Sequence, residues 1–220
     1  MGKKIVISIV SVLITLGAWG FLYWQRYVVH PEVDLRPHRA LGMMMAEEAL
    51  KLVGGGGHIG VITRDTGLYL NPAADEQLKR FTETLTGRGT KIAFMHKLRV
   101  DPLRVVNVPP GDFQQILRKT EDADVVVSFL GPPVLGPEEL NSLRGKTPKI
   151  VALCSGNLPR VVNLKTVFDQ GLLKTAIISK PDASAAGPGT DDPHGVFSHY
   201  FAVITPTDLT ELPNAKPAKP

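Results

Sequence analysis

The sequence has little cysteine, few aromatic residues and no marked excess of charge of one sign. Cys154 is the one cysteine among 220 residues, so a disulfide within the chain is excluded. The 25 basic and 21 acidic side chains include Lys3 and Lys4, which precede a long apolar run; without those two the balance is 23 to 21, or +2. No basic cluster with interleaved aromatic residues occurs, and we therefore expect no nucleic-acid partner.

Nucleotide and metal motifs are also missing. The full phosphate-loop pattern Gly-x-x-x-x-Gly-Lys-Ser/Thr does not occur, and no Gly-x-Gly-x-x-Gly follows a predicted strand. The four glycines at 54–57 come before a strand, which is typical of a helix end and not of a phosphate loop. Asp191, Asp192, His194 and His199 are residue types that bind metals, but their spacing matches no established site and equally fits a solvated turn. We expect neither a cofactor nor a metal ion.

Residues 5–24 are a run of twenty residues without a charge, long enough to cross a bilayer as a helix. Trp19, Tyr23 and Trp24 lie at its end, where aromatic rings favour the membrane interface, and the leading lysines favour a cytoplasmic N-terminus. A cleaved signal peptide is the alternative, although the run is long for one and no Ala-x-Ala pattern precedes a cut. The expectation is a single-pass anchor in a bacterial inner membrane, with the following domain outside the cytoplasm.

The rest of the chain predicts one α/β domain. Residues 25–37 are a juxtamembrane linker, 38–205 the domain, and 206–220 a proline-rich tail without predicted order. Helical and strand patterns alternate within the domain, which is typical of a doubly wound, mostly parallel sheet. The predicted strands are 59–62, Lys91–Leu98, 124–130, 149–153, 175–178 and 200–205, with 104–108 as an extra strand or a loop. The predicted helices are 41–53, one that starts at Asn71-Pro72 and ends at Gly87, 111–120, 137–143 and 161–170, and a mobile loop is predicted over 182–193.

The run Gly57-His58-Ile59-Gly60-Val61-Ile62, followed by Asn71-Pro72, resembles the start of one lobe of the type I periplasmic binding proteins. The later strands at 125–130, 150–154 and 176–179 fit the same order, so the resemblance covers residues 38–205. It implies a sheet with the strand order 2-1-3-4-5. Those proteins close two lobes on a ligand, whereas this length accommodates one lobe, which would supply one wall of such a site.

Polar residues follow the predicted strands, at the edge where open α/β sheets bind ligands. We expect them to gather along that edge, with Arg64 and Lys180 able to hold a small anion. The alternative is that every sheet of this class has a polar edge. The candidate ligand-binding residues are Arg64, Asp65, Thr66, Gly131, Ser155, Asn157, Ser179 and Lys180.

Cys154 also lies at a strand end, where a nucleophile could be exposed. It would need a base, yet His58 is at the start of a strand, and His194 and His199 belong to or adjoin the predicted loop. A buried cysteine that acts as a small apolar residue is the alternative, and no catalytic residue is assigned.

Three functions follow from the sequence. The first is a membrane-tethered binding or interaction module, an accessory subunit of a membrane or envelope assembly with a protein partner there. The second is a sensor of a small anionic ligand at the strand ends. The third is an enzyme built on Cys154.

Overall fold

The computed structural model describes residues 2–27, 33–54, 57–67, 71–99, 108, 110–118, 124–132, 134–142, 148–156, 162–181, 183 and 187–211. The chain divides into two compact units, residues 1–34 and residues 35–220. The first unit contains one helix, α1 (Gly2–Tyr27), in which Val6–Trp24 is apolar and long enough to cross a membrane. A signal sequence near an N-terminus has the same properties.

The second unit alternates helices and strands, as the sequence predicts. Its elements in chain order are α2 (Arg36–Val53), β1 (His58–Arg64), α3 (Pro72–Gly87), β2 (Lys91–Leu98), α4 (Pro110–Arg118), β3 (Val125–Ser128), α5 (Pro137–Ser142), β4 (Lys149–Cys154), α6 (Leu164–Asp169), β5 (Leu173–Ser179), α7 (Pro193–Tyr200), β6 (Phe201–Ile204) and a 3₁₀ helix (Pro206–Glu211).

These strands form one sheet in the order β2-β1-β3-β4-β5-β6. The first five strands are parallel, which confirms the predicted order 2-1-3-4-5. The strand β6 pairs with β5 in the antiparallel direction, with Ser179 opposite Phe201. The sheet is therefore mixed, and it has one edge at which all five parallel strands end. We call this the carboxyl edge and the opposite one the amino edge.

Helices cover both faces of the sheet, because the central strands are apolar on both sides. In β3, Val125 and Val127 pack with α2, α3 and α7, whereas Val126 between them packs with α4 and α6. Val61 of β1 and Val127 of β3 are fully buried in the middle of the sheet. The three layers, helix, sheet and helix, thus follow from the strand pattern.

The helices α2 and α3 run side by side on one face and both start at the carboxyl edge. Arg39 near the start of α2 donates a hydrogen bond to Glu76 near the start of α3, at 2.6 Å. That hydrogen bond holds the pKa of the Glu76 carboxyl below its usual value. Between them the backbones approach closely, since a Cβ added at Gly42 would lie 2.2 Å from the carbonyl oxygen of Gln77. Any side chain at position 42 would therefore push the two helices apart.

Two helices begin with an Asn or Asp side chain that caps the helix and a proline that follows it. Asn71 accepts a hydrogen bond from the backbone N–H of Ala74, and Pro72 is the first residue of α3, as predicted. Asp192 accepts in the same way from the N–H of Gly195, with Pro193 as the first residue of α7. The helix α7 was not predicted. It begins where the predicted loop over 182–193 ends, and it carries both His194 and His199.

The chain after β6 also differs from expectation in part. Residues Pro206–Glu211, predicted to lack order, form a 3₁₀ helix in which Asp208 accepts hydrogen bonds from the backbone N–H and the hydroxyl of Thr205. These two hydrogen bonds lower the pKa of the Asp208 carboxyl. Residues 212–220 lie outside the described residues. Residues 101–107 do so as well, and they include most of the segment for which the sequence allowed either an extra strand or a loop.

Candidate binding site at the carboxyl edge of the sheet

The strand order implies a crevice at the carboxyl edge between β1 and β3. After β1 the chain crosses to β2 through α3 on one face, and after β3 it crosses in the opposite direction to β4, with α5 on the other face. The connections that leave β1 and β3 therefore diverge, which makes this the topological switch point of the sheet. Ligands of open α/β sheets bind at such points, and the residues that follow β1 and β3 form the centre of the candidate site.

Arg64 is the last residue of β1 and lies at this crevice. Its side chain is partly buried. Among the described residues the guanidinium has no hydrogen-bond or ion-pair partner, in contrast with Arg36, Arg39, Arg80 and Arg99. A partly desolvated guanidinium is a strong donor to carboxylates and phosphates. Arg64 is therefore the best placed cation for an anionic ligand.

The next two residues, Asp65 and Thr66, are used by the fold. Asp65 accepts a hydrogen bond from the N–H of Gly67 at 3.1 Å, and its other carboxylate oxygen lies 3.5 Å from Arg99. Thr66 donates to the carboxylate of Asp75 in the first turn of α3 at 3.0 Å. These contacts fix the loop that carries the chain from β1 into α3, and Arg64 sits at the start of that loop.

The loops after β3 and β4 bring backbone groups to the same edge. Gly131 has φ 100° and Gly156 has φ 65°, values that favour glycine because a Cβ would be strained there. Gly131 is buried, and Ser155 is partly buried directly after β4. Because β1, β3 and β4 are neighbours, Arg64, Gly131 and Ser155 lie within two strand spacings, or about 10 Å. Asn157 lies outside the described residues.

The remaining candidates, Ser179 and Lys180, lie farther along the edge. Three strand spacings separate β1 from β5, which corresponds to about 14 Å. The ammonium of Lys180 donates to the carbonyl of Ser198 in α7, and its backbone N–H donates to the carbonyl of Tyr200. Lys180 thus fastens α7 and β6 to the sheet, and the structure does not bring it onto the same small anion as Arg64.

Arg99 is the residue at this edge that the sequence interpretation missed. It follows β2 directly, and its guanidinium lies 3.5 Å from Asp65 on the neighbouring strand end. The rule that selected the residues after β1, β4 and β5 also applies to β2, so the signal was present. With Arg64 it gives the carboxyl edge two guanidinium groups, one paired with Asp65 and one without a partner among the described residues.

Cys154 is buried within β4, with 1% of its surface exposed, and it packs against the face covered by α4 and α6. Burial raises the pKa of its thiol to about 12, so the thiolate required of a nucleophile does not form near neutral pH. The candidate bases are elsewhere, since His58 starts β1 at the amino edge, and α7 with His194 and His199 covers the opposite face. The position fits a small apolar core residue.

We expect thiol reagents to leave Cys154 unmodified in the native protein. Because its pKa is about 12, raising the pH from 7 to 9 should not speed the reaction, whereas an exposed thiol with a pKa near 9 would react markedly faster. Maleimide labelling read by intact mass tests this, with the denatured protein as the positive control. Fast labelling of the folded chain would bring back the enzyme hypothesis.

The residues once considered for a metal each have structural contacts. Asp191 pairs with Arg36 at 2.9 Å, and Asp192 caps α7. His194 lies 3.7 Å from Glu47 of α2, and the ring of His199 packs edge-on against Tyr200. Across the part of the chain that the structure describes, no group of three or more metal-binding side chains occurs.

No protein-family model and no curated protein matches the chain. Solved structures with the same architecture do match. A sugar-binding protein of a sugar ABC transporter from Bacillus halodurans has 14% identity and a TM-score of 0.53, covering 79% of this chain and 64% of that one. An ABC-transporter solute-binding protein from Burkholderia graminis in complex with D-arabinose has 18% identity and a TM-score of 0.53, covering 80% and 62%.

A putative LacI transcriptional regulator from Bacteroides fragilis also matches, with 11% identity and a TM-score of 0.51, covering 80% of this chain and 62% of that one. The chain thus spans less than two thirds of the length of each of these three structures. Identities this low show the fold alone. The described part of residues 35–211 therefore has the fold of a lobe of the type I periplasmic binding proteins, which confirms the fold predicted for residues 38–205.

Proposed function

We propose that this protein is a membrane-tethered, extracytoplasmic binding or interaction module, and that it acts as an accessory subunit of a membrane or envelope assembly. The observation that carries the proposal is the succession of an apolar helix, α1, and a fold whose solved neighbours include solute-binding proteins. In this proposal residues 1–24 are the anchor, 25–37 the linker, 38–205 the binding domain and 206–220 a tail available for docking.

The topology gives the first test. If residues 5–24 are an uncleaved anchor with the domain outside the cytoplasm, protease added to spheroplasts should remove the domain, while a cytoplasmic marker in the same cells stays intact. Intact mass of the purified protein should include the N-terminal residues. Full protection from protease would reverse the orientation, and a mass that lacks about the first 24 residues would show a cleaved signal peptide.

A pull-down in mild detergent tests the interaction role. Other envelope proteins should co-purify with the full chain, and they should still do so when residues 5–24 are replaced by an unrelated membrane-spanning helix, because the folded unit makes the contacts. Co-purification that is lost with this exchange would assign binding to the helix. A preparation that contains this chain and no other protein would contradict the accessory role.

As a second candidate function, the protein senses a small anionic ligand. The observation that favours this function is the environment of Arg64. Its partly buried guanidinium at the switch-point crevice has no partner among the described residues. Ser155 and the backbone around Gly131 lie near enough to add neutral hydrogen bonds. Two of the solved neighbours hold the sugars D-arabinose and α-D-tagatopyranose, so neutral sugars are included in the screen for comparison with anions.

We expect an anionic metabolite at about 100 times its dissociation constant to stabilise the domain by roughly 2.7 kcal/mol. A thermal-shift screen with carboxylates, phosphates and neutral sugars measures this. The gain should disappear in Arg64→Ala and persist in Arg88→Ala, an exposed arginine that follows α3. A ligand whose effect survives Arg64→Ala would bind elsewhere, and a response to neutral sugars alone would contradict recognition by charge.

A further inference from the structure

An open groove runs along the outer side of α3, from Asp75 in its first turn to Gly87 at its end. It has a volume of about 670 Å³ and lies between one stripe of α3 and Met95 of β2. The stripe residues recur at intervals of three and four, which places them on one side of the helix. They are Asp75, Leu78, Lys79, Thr82, Glu83 and Thr86.

The wall of this groove is apolar although it contains threonines. Thr82 donates its hydroxyl to the carbonyl of Leu78, and Thr86 donates to the carbonyl of Thr82. With the hydroxyls bonded to the helix backbone, these residues present methyl groups outwards. Met95 on the opposite wall has 39% of its surface exposed. Among the described residues of 35–211, no other large apolar side chain is as exposed, and Met95 adds to the apolar wall formed by Leu78 and the threonine methyl groups.

Charges of alternating sign border the apolar wall. Asp75, Lys79 and Glu83 follow one another at intervals of four along α3. Glu83 also pairs with Arg80 at 3.3 Å, but both side chains are more than 40% exposed and such a pair is weak. Two copies of this helix can lie antiparallel, related by a two-fold axis at the height of position 81 along the helix. Lys79 of each copy then faces Glu83 of the other. The border is therefore complementary to itself.

The edge strand β2, which borders the groove, disfavours a partner that would bind by adding a strand to the sheet. A partner that added a strand to β2 would meet Lys91 and Lys97, both exposed, and an irregular register at Ala93. Lysines and bulges on an edge strand are features that oppose strand addition. A helix laid beside α3 avoids these obstacles and covers the Met95 wall.

We propose that the groove binds α3 of a second copy of this chain, forming a two-fold dimer in which the two α3 helices lie antiparallel. Leu78, Thr82 and Met95 of each copy form the apolar centre. Two symmetric ion pairs, Lys79 with the partner's Glu83 and Glu83 with the partner's Lys79, set the register. Such an interface is isologous, the commonest form of soluble homo-oligomer.

Charge reversal tests this pairing in the full chain purified in detergent. Sedimentation velocity should show a dimer for the wild type. Lys79→Glu alone and Glu83→Lys alone each place like charges opposite each other twice, and each should weaken dimerisation roughly 10- to 100-fold. An equimolar mixture of the two variants should form a heterodimer, because every pair is then of opposite charge. That recovery also shows that both variants are folded.

The matched control is Lys165→Glu, which reverses one charge of the exposed Lys165–Asp169 pair on α6 and should leave the dimer intact. A wild-type chain that stays monomeric at every concentration overturns the proposal. Single variants that remain dimeric also overturn it, as does a mixture that fails to associate.

Discussion

Replacing Phe81 with alanine is expected to lower the free energy of unfolding by about 3–5 kcal/mol, the usual cost of removing a fully buried aromatic ring. Phe81 has no exposed surface and joins α3 to the residues that follow β3. Its ring meets that of Phe129 edge to face, with centroids 5.4 Å apart. Denaturant unfolding of the full chain in detergent, followed by circular dichroism, measures the loss.

Two further variants separate volume from ring geometry. Phe81→Leu keeps most of the volume and should cost less than about 1.5 kcal/mol. A double-mutant cycle with Phe129→Ala should give a coupling of about 0.5–1.5 kcal/mol for the edge-to-face contact. A Phe81→Ala variant as stable as the wild type would mean that α3 is not packed on the sheet as described.

The second large effect comes from adding a single methyl group at Gly42. The new Cβ would lie 2.2 Å from the backbone oxygen of Gln77, and a backbone atom cannot move without displacing α3. We expect Gly42→Ala to destabilise the domain by about 3 kcal/mol, despite the gain of up to about 1 kcal/mol in helix propensity. The same unfolding measurement applies.

Gly111 provides the matched control, since it lies in α4 and a Cβ there would meet no atom within 4 Å. Gly111→Ala should be neutral or slightly stabilising. Equal effects at both positions would show that the close approach of α2 and α3 does not limit stability. A selective loss at position 42 would confirm that this contact determines how the two helices pack.

Much of the fold could be predicted because, in several segments, the residue pattern and length are compatible with only one type of secondary structure. Val125–Ser128 is apolar on both faces and too short for a helix, so it had to be a central strand. Asn71 and Pro72 supply the cap and the fixed φ of a helix start, and α3 begins there. The alternation of strands and helices predicts a parallel sheet, whereas the strand order was implied by the resemblance to the type I periplasmic binding proteins.

The elements that were missed or left open depend on tertiary contacts. The helix α7 has only eight residues, and its apolar residues Val196 and Phe197 are stabilised by packing on α2 and the sheet. A local pattern this short, after a segment rich in glycine and alanine, resembles a loop. The antiparallel direction of β6 follows from α7, because a helix that ends at the carboxyl edge delivers the next strand there.

The candidate site was predictable at the level of an edge and not of a cluster. That Arg64 ends a strand could be read from the sequence, and the structure places it at the switch point. The separation of Arg64 from Lys180 depends on how many strands lie between β1 and β5. Lys180 donates a hydrogen bond to α7, and this contact could not be predicted because α7 was not predicted.

The direction of β6 has a practical consequence for handling the protein. The helix α2 begins the folded unit at the carboxyl edge. The strand β6 then runs back from that edge over four residues, so the chain leaves β6 about 13 Å closer to the amino edge. An affinity tag or fluorescent protein fused behind the 3₁₀ helix would thus emerge on the side away from Arg64. Immobilising the protein by its C-terminal end should leave the crevice facing the solution, whereas immobilisation near residue 36 would crowd it.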